Sequence, residues 1–456
     1  MQLKKYFLIK NVLCFFVLLC LCQSSSFSVF AQKNKQNLQL IGGLERKAKL
    51  GFSFKVLSSG AAQITKIDSL SHIAKQEIEV GDIITQVNDI SLNQKSKTND
   101  ILYGIKGNKT IAMIILRNQD ILKKEVIFEN QPLESYKNNT ILYNYVATEY
   151  GDKLRTITTI PKQKKEKYPA VLLVQWLSCS SIENNRKPYY GYDYILDYFT
   201  NSSQMAFMRV EKPSVGDSEG IACSECDLSR ELEGYKKALA ALKQNPNVDT
   251  TQIYILGLSL GTSLAPLVGE NQNIKGYIVS GGCTVTWLEH MIELERRRLS
   301  LVGESYPQIN QKMKGYIPFY QKYYVEKKLP YEIINQYPQF SELWYEEDAH
   351  QYGRSAKFYH QVQEQNFEEA WSKVKSPTLV LYGEYDWIMS KNDHDKITYL
   401  VNQNKPNTAQ FFVIPKAGHL LSTYSSPKDA FNWKGPKKSE SLIPIIDKWI
   451  EVQLQN

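Results

Sequence analysis

Gln252-Ile253-Tyr254-Ile255-Leu256-Gly257-Leu258-Ser259-Leu260-Gly261-Thr262-Ser263-Leu264-Ala265 runs from an apolar stretch, through a glycine-flanked serine, into residues that open a helix. An unbroken apolar run bounded in this way marks a strand buried on both faces, as in a parallel sheet covered by helices. The serine then occupies a tight strand-to-helix turn that lifts its hydroxyl above the sheet edge. The flanking glycines are needed because side chains there would collide with strand and helix. The first turn of the following helix stabilises negative charge beside the serine. Gly-x-Ser-x-Gly spacing alone is common by chance, and the competing reading is a serine in an ordinary glycine-rich turn. Strand before and helix after are what give the motif weight.

The flanking sequence continues the pattern. Residues 168–175, 205–210, 274–279, 378–382 and 411–415 are further apolar runs, and 228–244 is an amphipathic helix with Asp227 as its cap. From Ile141 onward, alternation of strands with helices predicts an α/β class with a doubly wound, mainly parallel sheet. A nucleophilic serine needs a base and a group to orient that base. Leu381-Tyr382-Gly383-Glu384-Tyr385-Asp386 places an acid just past one strand, and Ala417-Gly418-His419 places a histidine just past another. Glu384 is the rival acid but sits nearer its strand. The other histidines, at 72, 290, 350, 360 and 394, lack the strand-end setting and read as surface or helix residues.

With Gly257-Leu258-Ser259-Leu260-Gly261, Gly383-x-x-Asp386 and Gly418-His419 in the chain order Ser, Asp, His, the segment 138–456 resembles the α/β-hydrolase superfamily. Within it, the likeness is to the esterase and serine-aminopeptidase-like branch. Ser214-Val215-Gly216-Asp217-Ser218-Glu219-Gly220 looks like the family's G-x-G-x-S-x-G loop, with Ser214 in place of the first glycine and Ser218 as a turn former. The resemblance implies an oxyanion hole made of the Leu260 N–H and an N–H from Gln175-Trp176-Leu177-Ser178-Cys179, that of Leu177. The family usually carries His-Gly in this loop. Trp176 stands in place of the glycine, which leaves the second donor open.

An insertion at about 284–370 lies where such hydrolases carry a lid. It is rich in aromatic residues, among them Tyr316, Phe319, Tyr320, Tyr323, Tyr324 and Trp344, and 287–301 and 358–374 have helical periodicity. A cap shaping an acyl or peptide pocket is the functional reading. Against it, most of these rings simply pack the cap onto the core. Glu293, Glu295 and the run Arg296-Arg297-Arg298 read as a solvated helix face.

Upstream, 38–130 has short strands with turn punctuation. Leu50-Gly51-Phe52-Ser53-Phe54-Lys55-Val56 alternates as a strand entered through a glycine, and 62–67 is a second strand. Val80-Gly81-Asp82-Ile83-Ile84-Thr85-Gln86-Val87-Asn88 is a turn and an apolar strand, 98–105 has helical spacing, and 111–117 and 124–128 are strands. Leu50-Gly51-Phe52 and Gly81-Asp82-Ile83-Ile84 with Val87-Asn88 make this unit resemble a bacterial PDZ domain, small and β-rich. The resemblance implies a groove in which Leu50, Gly51 and Phe52 hold the C-terminal carboxylate of an extended peptide. The alternative is a domain that only positions its neighbour, with Leu50 and Phe52 as core residues.

At the start, Lys4, Lys5 and Lys10 precede an apolar run at 12–22, shorter than the ~20 residues a membrane-spanning helix needs. Val29-Phe30-Ala31 fits signal-peptide cleavage, so 1–31 reads as a leader and the protein as periplasmic or secreted. An uncleaved anchor is the alternative, and a lipoprotein is disfavoured because Leu21 precedes Cys22. Cys179, Cys223, Cys226 and Cys283 remain, enough for one or two bridges in an oxidising compartment, such as Cys179 to Cys223. The Cys223-Ser224-Glu225-Cys226 spacing could serve zinc, but no second pair lies nearby to complete a site.

The 456 residues allow two or three compact units, and 43% apolar with 22% charged residues excludes a disordered, collagen-like or multi-spanning chain. The net charge of +8 falls to +5, 52 cationic against 47 acidic side chains, once the leader is removed. It is too thinly spread for a nucleic-acid groove. The expectation is an exported serine hydrolase acting on a carboxylic ester through Ser259, His419 and Asp386, with no metal or cofactor required. Its partners would be an acyl-ester or peptide substrate and a peptide C-terminus at the PDZ-like groove, with no nucleic acid. The rivals are a peptidase of the same fold and an inert peptide-binding scaffold.

Overall fold

The computed structural model describes residues 42–163, 165–184, 188–344, 346 and 349–455. The leader at 1–31 and the first residues of the 38–130 unit lie outside them. Gly42 to Asn456 forms one compact unit.

Six strands build the N-terminal sheet: β1 (Phe52–Val56), β2 (Ala62–Ile67), β3 (Ile83–Val87), β4 (Ile90–Ser91), β5 (Thr110–Arg117) and β6 (Asp120–Ile127). Their order is β1-β2-β3-β5-β6, all antiparallel, with β4 paired to β3. Ile64, Ile84, Leu102, Ile115, Val126 and Phe128 fill the core of this unit. Helix α1 (Lys95–Tyr103) lies beside edge strand β1, where Phe54 meets Tyr103 with ring centroids 5.4 Å apart. It begins three residues ahead of the expected 98–105 because Lys95, Ser96 and Lys97 carry no apolar signal. What anchors the turn is Thr98, whose buried hydroxyl donates to Gly60 O and Gln94 O.

The second sheet has eight strands: β7 (Asn139–Ala147), β8 (Lys153–Pro161), β9 (Tyr168–Val174), β10 (Ala206–Val210), β11 (Val248–Leu258), β12 (Gly276–Ser280) and, after a small hairpin of β13 (His350–Gln351) with β14 (Arg354–Ser355), β15 (Thr378–Gly383) and β16 (Ala409–Ile414). Their order is β16-β15-β12-β11-β9-β10-β8-β7. Strands β9 to β16 of this sheet run parallel, while β8 is antiparallel to both β7 and β10. This is the strand order of an α/β-hydrolase sheet. The β7–β8 hairpin departs from a simple strand–helix alternation, and β8 hides in the sequence because it is polar yet buried. Thr156, Thr158 and Thr159 are covered, and Arg155 is nearly inaccessible.

Helices α2 (Gly191–Thr200), α3 (Leu228–Gln244), α4 (Leu260–Val268), α5 (Trp287–Val302), α6 (Tyr306–Tyr320), α7 (Pro330–Gln336), α8 (Ala356–Gln363), α9 (Phe367–Ser372), α10 (Lys391–Asn404), α11 (Pro427–Phe431) and α12 (Leu442–Gln455) complete the chain. α2 packs with α12, and α3, α4, α9 and α10 pack in sequence with one another, which gives the sheet its two covering layers. Among the described residues no helix is long and apolar enough to cross a membrane.

α5 to α8 form the cap. The expected helix at 358–374 is two helices, broken before Asn366, whose side chain caps α9 by accepting from Glu369 N. Along α6 and the turn that follows, ring centroids lie 5.7 Å apart for Tyr316 and Tyr320, 5.4 Å for Tyr320 and Tyr324, and 4.6 Å for Tyr323 and Tyr324, and all four rings are buried. These rings pack the cap. Nor is the charged stretch of α5 a solvated face throughout. Glu295 is fully buried and accepts from Tyr320 and Arg298, while Arg297 donates to Trp387 O and Ile388 O.

Buried charge joins the two sheets. Arg46 Nη1 reaches both carboxylate oxygens of Asp217 at 3.0 Å, Arg155 Nε reaches Asp217 at 3.0 Å, and Glu183 takes Arg46 and Lys47, each at 2.6 Å. Removing one member of so dry a network leaves a charge unpaired, which costs about 3–5 kcal/mol.

Candidate active site

Strand order reverses at β9: β10 lies on one side of it and β11 on the other. Connections leaving such a point diverge and open a crevice at the carboxyl ends of the strands. Ser259 stands at the end of β11, above that crevice. Its backbone is held at φ 55°, ψ −129°, a conformation that the hydrogen bond from its N–H to Ser280 O (2.8 Å) helps enforce. Both glycines are required. A Cβ at Gly257 would come within 2.7 Å of Gly261 O, and one at Gly261 within 1.9 Å of Val174 O.

Ser259 Oγ is 2.9 Å from His419 Nε2, and His419 Nδ1 is 2.9 Å from Asp386 Oδ2. Asp386 Oδ1 accepts from Ile388 N and Met389 N at 2.9 and 3.0 Å. Burial pushes the Asp386 carboxyl up, but the His419 charge and the hydrogen bonds from His419 and Met389 outweigh it and hold the group below the ordinary carboxylate value. An ionised Asp386 only accepts, so the proton belongs on Nδ1, and the Nε2 lone pair faces the serine. All three side chains are mostly buried, Ser259 at 8% exposure and the other two at 5%. Glu384 instead accepts from Lys416 N at the surface.

Three neighbours carried no sequence signal. The Tyr192 hydroxyl takes the Ser259 N–H at 3.2 Å and donates to Ser280 O at 3.2 Å, and its ring lies between Trp176 and His419, 6.3 and 6.2 Å away. His394 and His290, expected at a surface or on a helix, are on helices but buried. His394 accepts from Gly281 N and donates to Ser390 O, and burial pushes it down, so it is neutral. His290 packs on Trp287 within α5, and burial pushes its imidazole down to about 4. Both histidines needed tertiary packing to be recognised, because neither follows a strand.

Leu260 opens α4 immediately after the serine. Leu177 lies in the loop after β9, where its carbonyl accepts from Lys212 Nζ at 3.0 Å and Arg354 Nη1 at 2.9 Å. Cys179, at the end of that loop, is bonded to Cys223, while Cys226 and Cys283 are buried free thiols. Ser218, a turn former as expected, accepts the Arg155 N–H.

Leu50, Gly51 and Phe52 are not brought to the triad. They line a separate cavity of about 760 Å³ together with Asp100 and Tyr103 of α1, and the hydrolase sheet's loops supply its other wall through Cys179, Ser180 and Ser181. Gly51 adopts φ +69°, and a Cβ there would meet Ser71 Cβ at 2.5 Å. Among the described residues no acceptor takes the N–H of Leu50 or Gly51.

The PDZ domain family model matches residues 48–127. No curated protein matches the chain. Similar solved structures include Est1E from Butyrivibrio proteoclasticus, at 15% identity over 69% of this chain and 99% of that one with a TM-score of 0.43. The Pyrococcus furiosus esterase Pf2001 is 12% identical over 71% of this chain and 96% of its own, with a TM-score of 0.42. The α/β hydrolase GrgF from Penicillium is 12% identical over 69% and 98%, also at 0.42.

Proposed function

We propose that the chain is an exported serine hydrolase that cleaves a carboxylic ester. The observation that carries this is the hydrogen-bonded line Ser259–His419–Asp386 at the carboxyl ends of β11, β15 and β16. Ser259 Oγ attacks the acyl carbon while its proton passes to His419 Nε2, and Asp386 orients and stabilises the imidazolium. The tetrahedral intermediate collapses as the carbon–oxygen bond to the alcohol breaks, and Nε2–H protonates the departing oxygen. Water, giving its proton to Nε2, then attacks the acyl-serine; the bond from the acyl carbon to Oγ breaks, Nε2–H returns the proton to Ser259 Oγ, and the acid is freed. N–H groups of Leu260 and Leu177 receive the oxyanion.

Export is supported by the Cys179–Cys223 disulfide, which an oxidising compartment preserves. Binding of a peptide C-terminus at Leu50, Gly51 and Phe52 is supported by the free N–H groups there and by the cavity beside them. That cavity also favours a second reading, a peptidase to which the PDZ unit delivers a chain terminus.

A fluorophosphonate probe and paired panels of p-nitrophenyl esters and aminoacyl anilides test these readings. Labelling lost in Ser259→Ala, with turnover of esters, is the expected result. Preference for anilides would make it a peptidase, and an unlabelled, inactive wild type would leave a peptide-binding scaffold.

A further inference from the structure

Three consecutive carbonyls of the loop after β9 converge on one buried cation. Lys212 Nζ donates to Trp176 O at 2.6 Å, Leu177 O at 3.0 Å and Ser178 O at 3.2 Å. Glu231 Oε1 lies 3.2 Å from the same nitrogen. Arg354, from the β14 strand of the cap, adds Nη1 to Leu177 O at 2.9 Å and Nη2 to Glu231 Oε2 at 2.7 Å. Lys212, Glu231 and Arg354 are all buried, so two cations are held against a single carboxylate. Burying charge this way is costly unless further protons find acceptors, and here the loop carbonyls accept from Lys212 Nζ and Arg354 Nη1, while Cys226 O accepts from Arg354 Nη2.

This arrangement dictates where the loop's N–H groups point. In a trans peptide the carbonyl of one residue and the N–H of the next face opposite ways. Turning the carbonyls of Trp176, Leu177 and Ser178 toward Lys212 therefore turns the N–H groups of Leu177, Ser178 and Cys179 away from it. Among the described residues none of these three N–H groups has an acceptor. A run of free, co-directed N–H groups accepts an anion. The loop also abuts the nucleophile's turn, since a Cβ at Gly261 would come within 2.7 Å of Gln175 O.

We infer that Lys212, held by Glu231 and Arg354, is the positioning residue of the oxyanion site, imposing on a tryptophan-bearing loop the peptide orientation for which the sequence offers no glycine. The inference rests on the serine-hydrolase reading. Lys212 touches no substrate and acts through the loop, and Arg354 makes the site's shape depend on the seating of the cap.

The test uses the full chain with Lys212→Met and, as a variant that keeps the Lys212–Glu231 pair, Arg354→Met. For each, kcat and KM on a p-nitrophenyl ester are compared with the inhibition constant of an alkyl boronic acid, whose serine adduct carries the tetrahedral anion. Active sites are counted by end-point fluorophosphonate labelling. Loss of one oxyanion donor lowers kcat about 10²–10³-fold. Lys212→Met should lose kcat and boronate affinity within that range and in parallel, with KM nearly unchanged, and Arg354→Met should show a smaller parallel loss. A merely structural role would lower the count of active sites and leave the boronate-to-KM ratio of the remainder unchanged. Wild-type kcat and boronate affinity per active site in both variants would overturn the inference while leaving the hydrolase standing. An inactive wild type would overturn both.

Discussion

Ser259 Oγ meets His419 Nε2 at 2.9 Å although 160 residues separate them in the chain. What closes that distance is the sheet. β11, which ends at the serine, and β16, which leads to the histidine, lie on the same side of the reversal point and run parallel, with β12 and β15 between them. Their carboxyl ends therefore present both side chains to one crevice.

Asp386→Asn should leave that crevice assembled but with the wrong histidine tautomer. The amide oxygen can still accept from Ile388 and Met389. The amide nitrogen cannot accept from Nδ1, so kcat should fall about 10⁴-fold with little change in KM or melting temperature. Steady-state kinetics beside a thermal melt measures this.

Tyr192→Phe removes the hydroxyl shared between Ser259 N and Ser280 O. Ser259 N and Ser280 O keep their bond to each other, so the cost is that of the lost hydrogen bonds, about 0.5–1.5 kcal/mol each, and it falls on the strained turn. Urea unfolding should show that decrease, accompanied by a lower kcat; an unchanged midpoint would mean the hydroxyl does not support the turn.

The Cys179–Cys223 bond closes a loop with a sequence separation of 44. Chain-entropy arguments give a bridge of that span a stabilisation of about 4 kcal/mol. Reduction, or Cys223→Ser, should lower the unfolding midpoint accordingly and reduce turnover, because Cys179 ends the loop that Lys212 grips. Peptide mapping without reductant identifies the bridge, and free thiols at both positions would remove it.

Glu211 is buried and accepts from Ser181 Oγ and Ile182 N. Burial pushes its carboxyl up to about 7, against the pull of Lys47 and the Ser181 hydrogen bond and with Glu183 adding to the rise. Because the folded value lies above the unfolded one, the folded state binds the proton more tightly. Its contribution is present in acid and is lost as pH rises from about 4.5 to about 7. Glu211→Gln should thus be more stable than the wild type at pH 8, by about 3 kcal/mol at most, with the gap closing at pH 4.5. Paired melts at the two pH values decide it.

The PDZ unit should bind peptides only through a free terminus. Fluorescence anisotropy with a C-terminal carboxylate peptide and its amide should show binding of the first alone. Gly51→Val should abolish it, since φ +69° and the close approach of Ser71 both exclude a side chain.

Periodicity and motif were enough to read much of this protein. The apolar runs announced most of the parallel strands, Gly257-x-Ser259-x-Gly261 announced the turn, and the strand-end positions of Asp386 and His419 singled them out, because local chemistry there matches local geometry. The PDZ-like unit was legible for the same reason. Polar and charged residues that tertiary contacts bury were not. β8 is not legible in the sequence because Thr156, Thr158 and Arg155 look solvated, whereas the fold buries all three and pairs Arg155 with Asp217 from another loop. Glu295 looked like a surface charge until Tyr320 covered it. Lys212, Glu231 and Arg354 lie on three segments whose partnership no spacing encodes. A chain's own pattern determines which residues are apolar and where it turns. The pairing of buried charges depends on segments far apart in sequence meeting in a dry interior, and only the folded arrangement decides that.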